Sequence, residues 1–131
     1  MRSILLALLL APLWSSALCA DLTKWYQVQG GSWTVPSSVV EEIANGIQAV
    51  AQRSGTIRGK KVPSLAGYQV QYQGVQPDQK RVEIRGFCTA KDEAKLKSAW
   101  YIVFDGGVCY FHALYDAEKK EFSQFSFNGE A

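Results

Sequence analysis

Between Val40 and Ala51 apolar residues return every three or four positions, at Val40, Ile43, Ile47, Val50 and Ala51, while Glu41, Glu42, Asn45, Gln48 and Gln52 fall between them. That period predicts an amphipathic helix with one apolar stripe, running from about Ser38 to Arg53. Pro36 sits where a first helical turn tolerates it, Ser38 and Glu41 have capping-box spacing, and Gly55 supplies the stop. Such a helix needs a sheet to cover. Gly46 in its middle costs ~1 kcal/mol against alanine, which points to a close approach between helix and sheet.

Downstream the period changes from helical to twofold. Tyr68, Val70 and Tyr72 alternate with Gln69, Gln71 and Gln73, which predicts a strand with one buried face and a glutamine face that is either wet or a flat recognition surface. Pro77-Asp78 marks a turn, and from Lys80 to Cys88 the alternation resumes, with Val82 and Ile84 inward and Arg81, Glu83 and Arg85 outward. Residues 89–98 are charged and read as a loop or one exposed helical turn. Trp100 to Phe104 is too apolar for one wet face and reads as a central strand. After Asp105-Gly106-Gly107 the chain returns over Val108 to Tyr115, turns again at 116–120, and ends in a strand from Glu121 to Phe127 that places Phe125 and Phe127 on one face and Phe122 on the other. Ahead of the helix, DLTKWYQVQGG reads as a short arm that packs over the sheet or pairs at its edge. The sum is an α+β domain: one amphipathic helix on a four- to five-stranded antiparallel sheet, with hairpin connections.

The first residues change the setting. Arg2, an apolar run from Ile4 to Leu13 and the small residues that follow have the layout of a secretory signal peptide over 1–20, leaving a single domain over 21–131 and a periplasmic or secreted protein. The apolar run is too short to span a bilayer, so no transmembrane segment is expected. Cleavage after Ala20 is the expectation. A lipid anchor at Cys19 is the alternative, and Leu18, where a small residue is the rule, counts against it.

With Cys19 removed, Cys88 and Cys109 remain in an exported chain, and a disulfide between them is the default. In a simple meander the two sulfurs would lie at opposite ends of the sheet, beyond the ~7 Å Cα limit for bridging. Three resolutions are open: the second strand ends near Arg85 and Gly86 bends the chain back, or the strand order is not the simple one, or the cysteines are unpaired. The first is favoured.

Charge and chemistry exclude more than they assign. The chain has 14 basic and 12 acidic residues, and losing Arg2 leaves a net charge of about +1, no basis for nucleic-acid binding. The basic group Arg53, Arg58, Lys60 and Lys61 reads as a solvated loop. One histidine and no paired-cysteine motif argue against a metal site, and no cofactor is expected. His112 alternates with Phe111 and Ala113 as a strand residue rather than a base, and the adjacent acids Glu41-Glu42 and Asp92-Glu93 point apart on a helix. Trp25 and Trp33, flanking the flexible pair Gly30-Gly31, are the candidate partner-binding residues, since large aromatics beside a hinge can anchor in a partner's pocket.

A helix followed by a glutamine-rich strand, Gln69-Val70-Gln71-Tyr72-Gln73-Gly74, resembles the cystatin type of fold. The run from Val103 to Phe111, V-x-D-G-G-x-C-Y-F, with Asn128-Gly129-Glu130 at the end, is similar to small exported proteins of Gram-negative bacteria, a likeness that implies no activity. The expectation is an exported, non-catalytic protein that binds an unknown protein partner, as an inhibitor or immunity factor. The alternatives are a small enzyme or ligand carrier with a pocket between helix and sheet, and an envelope structural or assembly subunit.

Overall fold

The computed structural model describes residues 20–55, 57 and 59–129. The leader expected up to Ala20, the lipidation candidate Cys19, Arg58 of the basic group and Glu130 lie outside the described residues, Ala20 itself excepted.

The helix forms where its period places it. α1 spans Ser37–Ser54 and buries Val40, Ile43, Ile47, Val50 and Ala51. Gly55 ends it, its N–H bonding to Ala51 O at 2.8 Å. The expected capping box is absent: Pro36 is the cap residue, no side chain bonds the first turn, and the amides of Val39 and Val40 reach Pro36 O instead. Gly46 does mark a close approach, since a Cβ there would come within 3.2 Å of the Phe122 ring.

Five strands make one sheet in the order β1 (Trp25–Gln27), β2 (Gln69–Val75), β3 (Arg81–Phe87), β4 (Tyr110–Asp116) and β5 (Glu121–Phe127). The N-terminal arm is an edge strand, but it runs parallel to β2, so the sheet is mixed rather than antiparallel. Parallel pairing requires a crossover, and α1 supplies it. The α+β class and the order of helix then strands hold; hairpin connections throughout do not.

One face of the sheet carries Val70, Val82, Ile84, Phe111, Ala113, Tyr115 and Phe125 against α1. Gly86 belongs to this face and makes no bend. β3 stays paired through Phe87, and the Phe111 ring occupies the space a Gly86 side chain would need. Phe122 also faces α1 instead of the opposite side. A register shift at Leu114/Tyr115 leaves Ser123 as an extra residue in β5, and one inserted residue moves Phe122 onto the face of Phe125 and Phe127.

Trp100 to Phe104 is not a strand. The 22 residues from Cys88 to Cys109 instead form a strap between two adjacent strands, β3 and β4, carrying the short helix α2 (Glu93–Ser98). This removes the difficulty over the cysteines. With no strand between β3 and β4, Phe87 pairs directly with Tyr110, and the next residue on each strand is a cysteine. Their Cα atoms are 4.9 Å apart, the disulfide is formed, and Cys88 N–H bonds Cys109 O at 2.9 Å. No helix among the described residues is long and apolar enough to cross a membrane.

Candidate functional site

The strap lies over the face of the sheet turned away from α1, and the glutamines of β2 hold it there. Gln71 is fully buried, at 0 % exposure. Its amide donates to Leu96 O and Ala99 O, both at 2.8 Å, and its carbonyl accepts from Tyr101 N–H at 2.8 Å. Gln69 exchanges two bonds with the main chain of Lys91, and Gln73 donates to Gln29 O at 2.8 Å. Gln71 is therefore not wet, and Gln69 and Gln73, half-buried, spend their amides on main chain rather than on a free recognition surface. A strap without its own ladder needs partners for its backbone groups, and neutral side chains with both a donor and an acceptor supply them.

Under the strap a second small core forms from Tyr26, Phe87 and Leu96, with Tyr101 and Tyr110 packed on it. α2 starts at Asp92, whose carboxylate accepts from Ala94 N–H at 2.9 Å, and lays Leu96 into this core. Beyond α2 the chain runs extended across the sheet and alternates. Tyr101 points inward, edge-on to Phe87 at 5.1 Å between centroids. Trp100 is half-buried beneath the Arg85 guanidinium, while Ile102 and Phe104 project outward at 53 % and 93 % exposure. The far end is tied by Asn128, whose amide donates to Val103 O and Asp105 O, which brings Phe104 beside the C-terminal end of β5.

These outward side chains are apolar, held on a backbone clamped at Cys88–Cys109, Gln71 and Asn128. A cleft of about 470 Å³ opens within the strap, between α2 and the extended segment after it, with Lys91, Leu96, Trp100 and Tyr101 among its walls. The Lys91 ammonium sits 4.6 Å from the Tyr101 ring centre, and its hydrogen bond, followed by one from Tyr110, lowers the Tyr101 phenol from its ordinary range.

Beside the strap, the polar part of the same face carries Glu83, Arg85 and His112. Glu83 Oε1 lies 3.2 Å from Arg85 Nη2 and 3.5 Å from His112 Nε2. The His112 hydrogen bond, then Arg85, holds the Glu83 carboxyl below its ordinary value of 4.5 against the opposing pull of burial. Glu83 thus binds its proton more weakly folded than unfolded, so its contribution is present above pH 4.5 and lost as pH falls through the lowered value. Glu83→Gln is expected to show a smaller loss of stability than the unsubstituted chain between neutral pH and pH values below 4.5; urea midpoints across that interval measure it. On α1, Glu42 accepts from the Tyr115 hydroxyl at 3.0 Å, and burial together with this carboxylate pushes that phenol up to about 12.

The residues singled out from sequence sit elsewhere. Trp33 is half-buried, its indole N–H shared between Val75 O at 3.0 Å and Arg81 O at 2.9 Å, closing the β2–β3 hairpin. Trp25 is half-buried against Tyr72, and its register partner Val70 lies four residues along β2 from Gly74, the partner of Trp33, or ~13 Å at strand rise. Gly30 and Gly31 are exposed between them, Gly30 with φ +86°. Both tryptophans thus pack at the margin of the main core, beside Tyr72 and Gly74 of β2. Ile102 and Phe104 were hidden in the sequence by the very composition that made 100–104 read as a strand. Among the described residues no group of acidic, histidine or cysteine side chains is placed to hold a metal ion. No protein-family model, curated protein or solved structure matches the chain.

Proposed function

We propose that this chain is an exported, non-catalytic protein that binds another protein through the outward row of its strap, Ile102 and Phe104 with Trp100 behind them, and acts by occupying that partner's surface as an inhibitor or immunity factor does. The observation that carries the reading is Phe104, a phenylalanine left 93 % exposed on a segment anchored at both ends. An anchor already held in its binding conformation loses little freedom on docking, so most of the gain from burying it appears as affinity. A disulfide-closed strap fits an oxidising compartment, which supports periplasmic or secreted placement. His112 is already engaged with Glu83 on an open sheet face, which favours a structural role for it over that of a base.

Burying one phenylalanine contributes ~1.5–3 kcal/mol. Phe104→Asp should therefore weaken capture of the partner from periplasmic or culture-supernatant protein by at least ~10-fold, with the thermal midpoint unchanged. Immobilised protein and variant, compared by quantitative mass spectrometry of the retained fraction, decide it. Retention of the same proteins by both, or of none by either, would rule the reading out.

A further inference from the structure

The two edges of the sheet are treated differently. β1 is three residues long, and the chain beyond it is covered by α2, with Gln29 N–H bonded to Lys97 O at 3.0 Å. β5 is seven residues long and no strand among the described residues pairs with its outer side. It contains no lysine, arginine or proline, the residues that usually guard an open edge.

The direction of its free groups follows from the ladder. Asn128 N–H bonds Tyr110 O at 2.9 Å, so Gln124, Ser126 and Asn128 bond toward β4, and Phe125 and Phe127 turn both main-chain groups outward. Phe125 and Phe127 direct their side chains to the α1 face, while Gln124 and Ser126 are exposed on the other. Along the α1 side of this edge runs a groove of about 440 Å³ bounded by Val50 and Ser54 of α1 and by Phe122 and Phe125.

We propose that the β5 edge is a homodimerisation surface, on which two copies pair antiparallel about a twofold axis at Ser126 to make one continuous sheet. This register satisfies every local requirement. Phe125 of each copy meets Phe127 of the other, and both residues have free N–H and C=O groups facing the joint, so each couple exchanges two bonds. Both phenylalanines lie on the α1 face, Phe125 buried against Phe111 of its own copy and Phe127 half-buried, so the pairing leaves the core undisturbed. Gln124 meets Asn128 and Ser126 meets Ser126, all uncharged, and Glu121, the one charged residue of β5, falls outside the paired segment. Two other registers fail. An axis at Gln124 sets Ser126 against Phe122, which points to the opposite face, and an axis at Phe127 calls on Gly129 O, already bonded to Gly107 N–H. Self-complementarity of this kind selects a second copy over a foreign strand.

The dimer stands independently of the strap proposal, but it affects it. A twofold axis perpendicular to the sheet leaves both straps on the same side, and because Asn128 ties each strap to the end of β5, the two Phe104 side chains are presented together. A partner with two matching sites would be held bivalently.

Sedimentation equilibrium from low micromolar to several hundred micromolar protein tests the proposal. The expected result is a mass that rises from monomer to dimer, with Ser126→Lys shifting the midpoint at least ~10-fold upward because two ammonium groups then face each other on the axis. As a second probe, Ser126→Cys should form a disulfide-linked dimer under mild oxidation, whereas Gln79→Cys, in the exposed β2–β3 turn, should not. A mass that remains monomeric throughout, a dimer insensitive to Ser126→Lys, or equal cross-linking of the two cysteine variants would overturn it.

Discussion

Gln71→Ala should lower the stability of this domain by ~3 kcal/mol, although it removes only a neutral polar side chain. The residue is fully buried and bonds three main-chain groups of one segment: Leu96 O, Ala99 O and Tyr101 N–H. A buried main-chain group left without a partner costs ~1–3 kcal/mol, and alanine removes the partner of three groups, Leu96 O being buried while water can reach the exposed Ala99 and the half-buried Tyr101. Gln69→Ala is the matching control. Its side chain makes the same kind of bonds, but to the exposed main chain of Lys91, where water can replace it, and its cost should be ~0.5–1 kcal/mol. Equal urea midpoints for the two variants would show that burial of Gln71 is not what sets its contribution.

Replacing Cys88 and Cys109 together by alanine should cost ~3 kcal/mol, the chain-entropy value for a closed loop of about this length. The bridge spans a sequence separation of 21 residues and clamps the strap at its base. Losses of this size are a large share of the ~5–15 kcal/mol that holds a domain together, and the Tyr101 amide, which donates to Gln71, should lose protection from hydrogen exchange in the cysteine-free chain. Because Gln71 and the disulfide hold the same segment, their effects should not add. Once the strap is free, the second change has less left to release, so the triple variant should lose less than the sum of the two. Strict additivity would mean that the strap remains seated without its bridge.

Both experiments concern a feature the amino-acid pattern misrepresents. Trp100-Tyr101-Ile102-Val103-Phe104 has the highest strand tendency in the chain, and alternation within it is real: Tyr101 turns inward while Ile102 and Phe104 turn out. What local tendency cannot supply is a neighbour to pair with. β3 and β4 bond each other directly, so the segment is excluded from the ladder and hydrogen-bonds to side chains of β2 and to Asn128 instead. The glutamines follow from the same cause. Alternating polar residues in a strand normally mean solvent, and they would have done so here had the strap not crossed that face.

Phe122 is a smaller instance. A twofold period assigns faces only while pairing is regular, and the extra residue at Ser123 shifts everything before it by one place. Nothing in EFSQFSF marks the bulge. The pairing of β1 is of the same kind, since composition leaves an aromatic arm free to pack over the sheet or to pair at its edge, and both that choice and its direction depend on where α1 returns the chain.

The chain's own order of residues determined the helix and its buried stripe, the glycine that ends it and the strand character of β2 to β5, and it made a Cys88–Cys109 bridge the default. These depend on contacts between residues near in sequence or on a choice of partners that leaves one option. Tertiary structure alone decided which polar face is covered, where the extra residue in β5 sits, and that Trp100 to Phe104 stays out of the sheet and displays Ile102 and Phe104, because each is settled by competition among distant segments for a limited number of backbone partners.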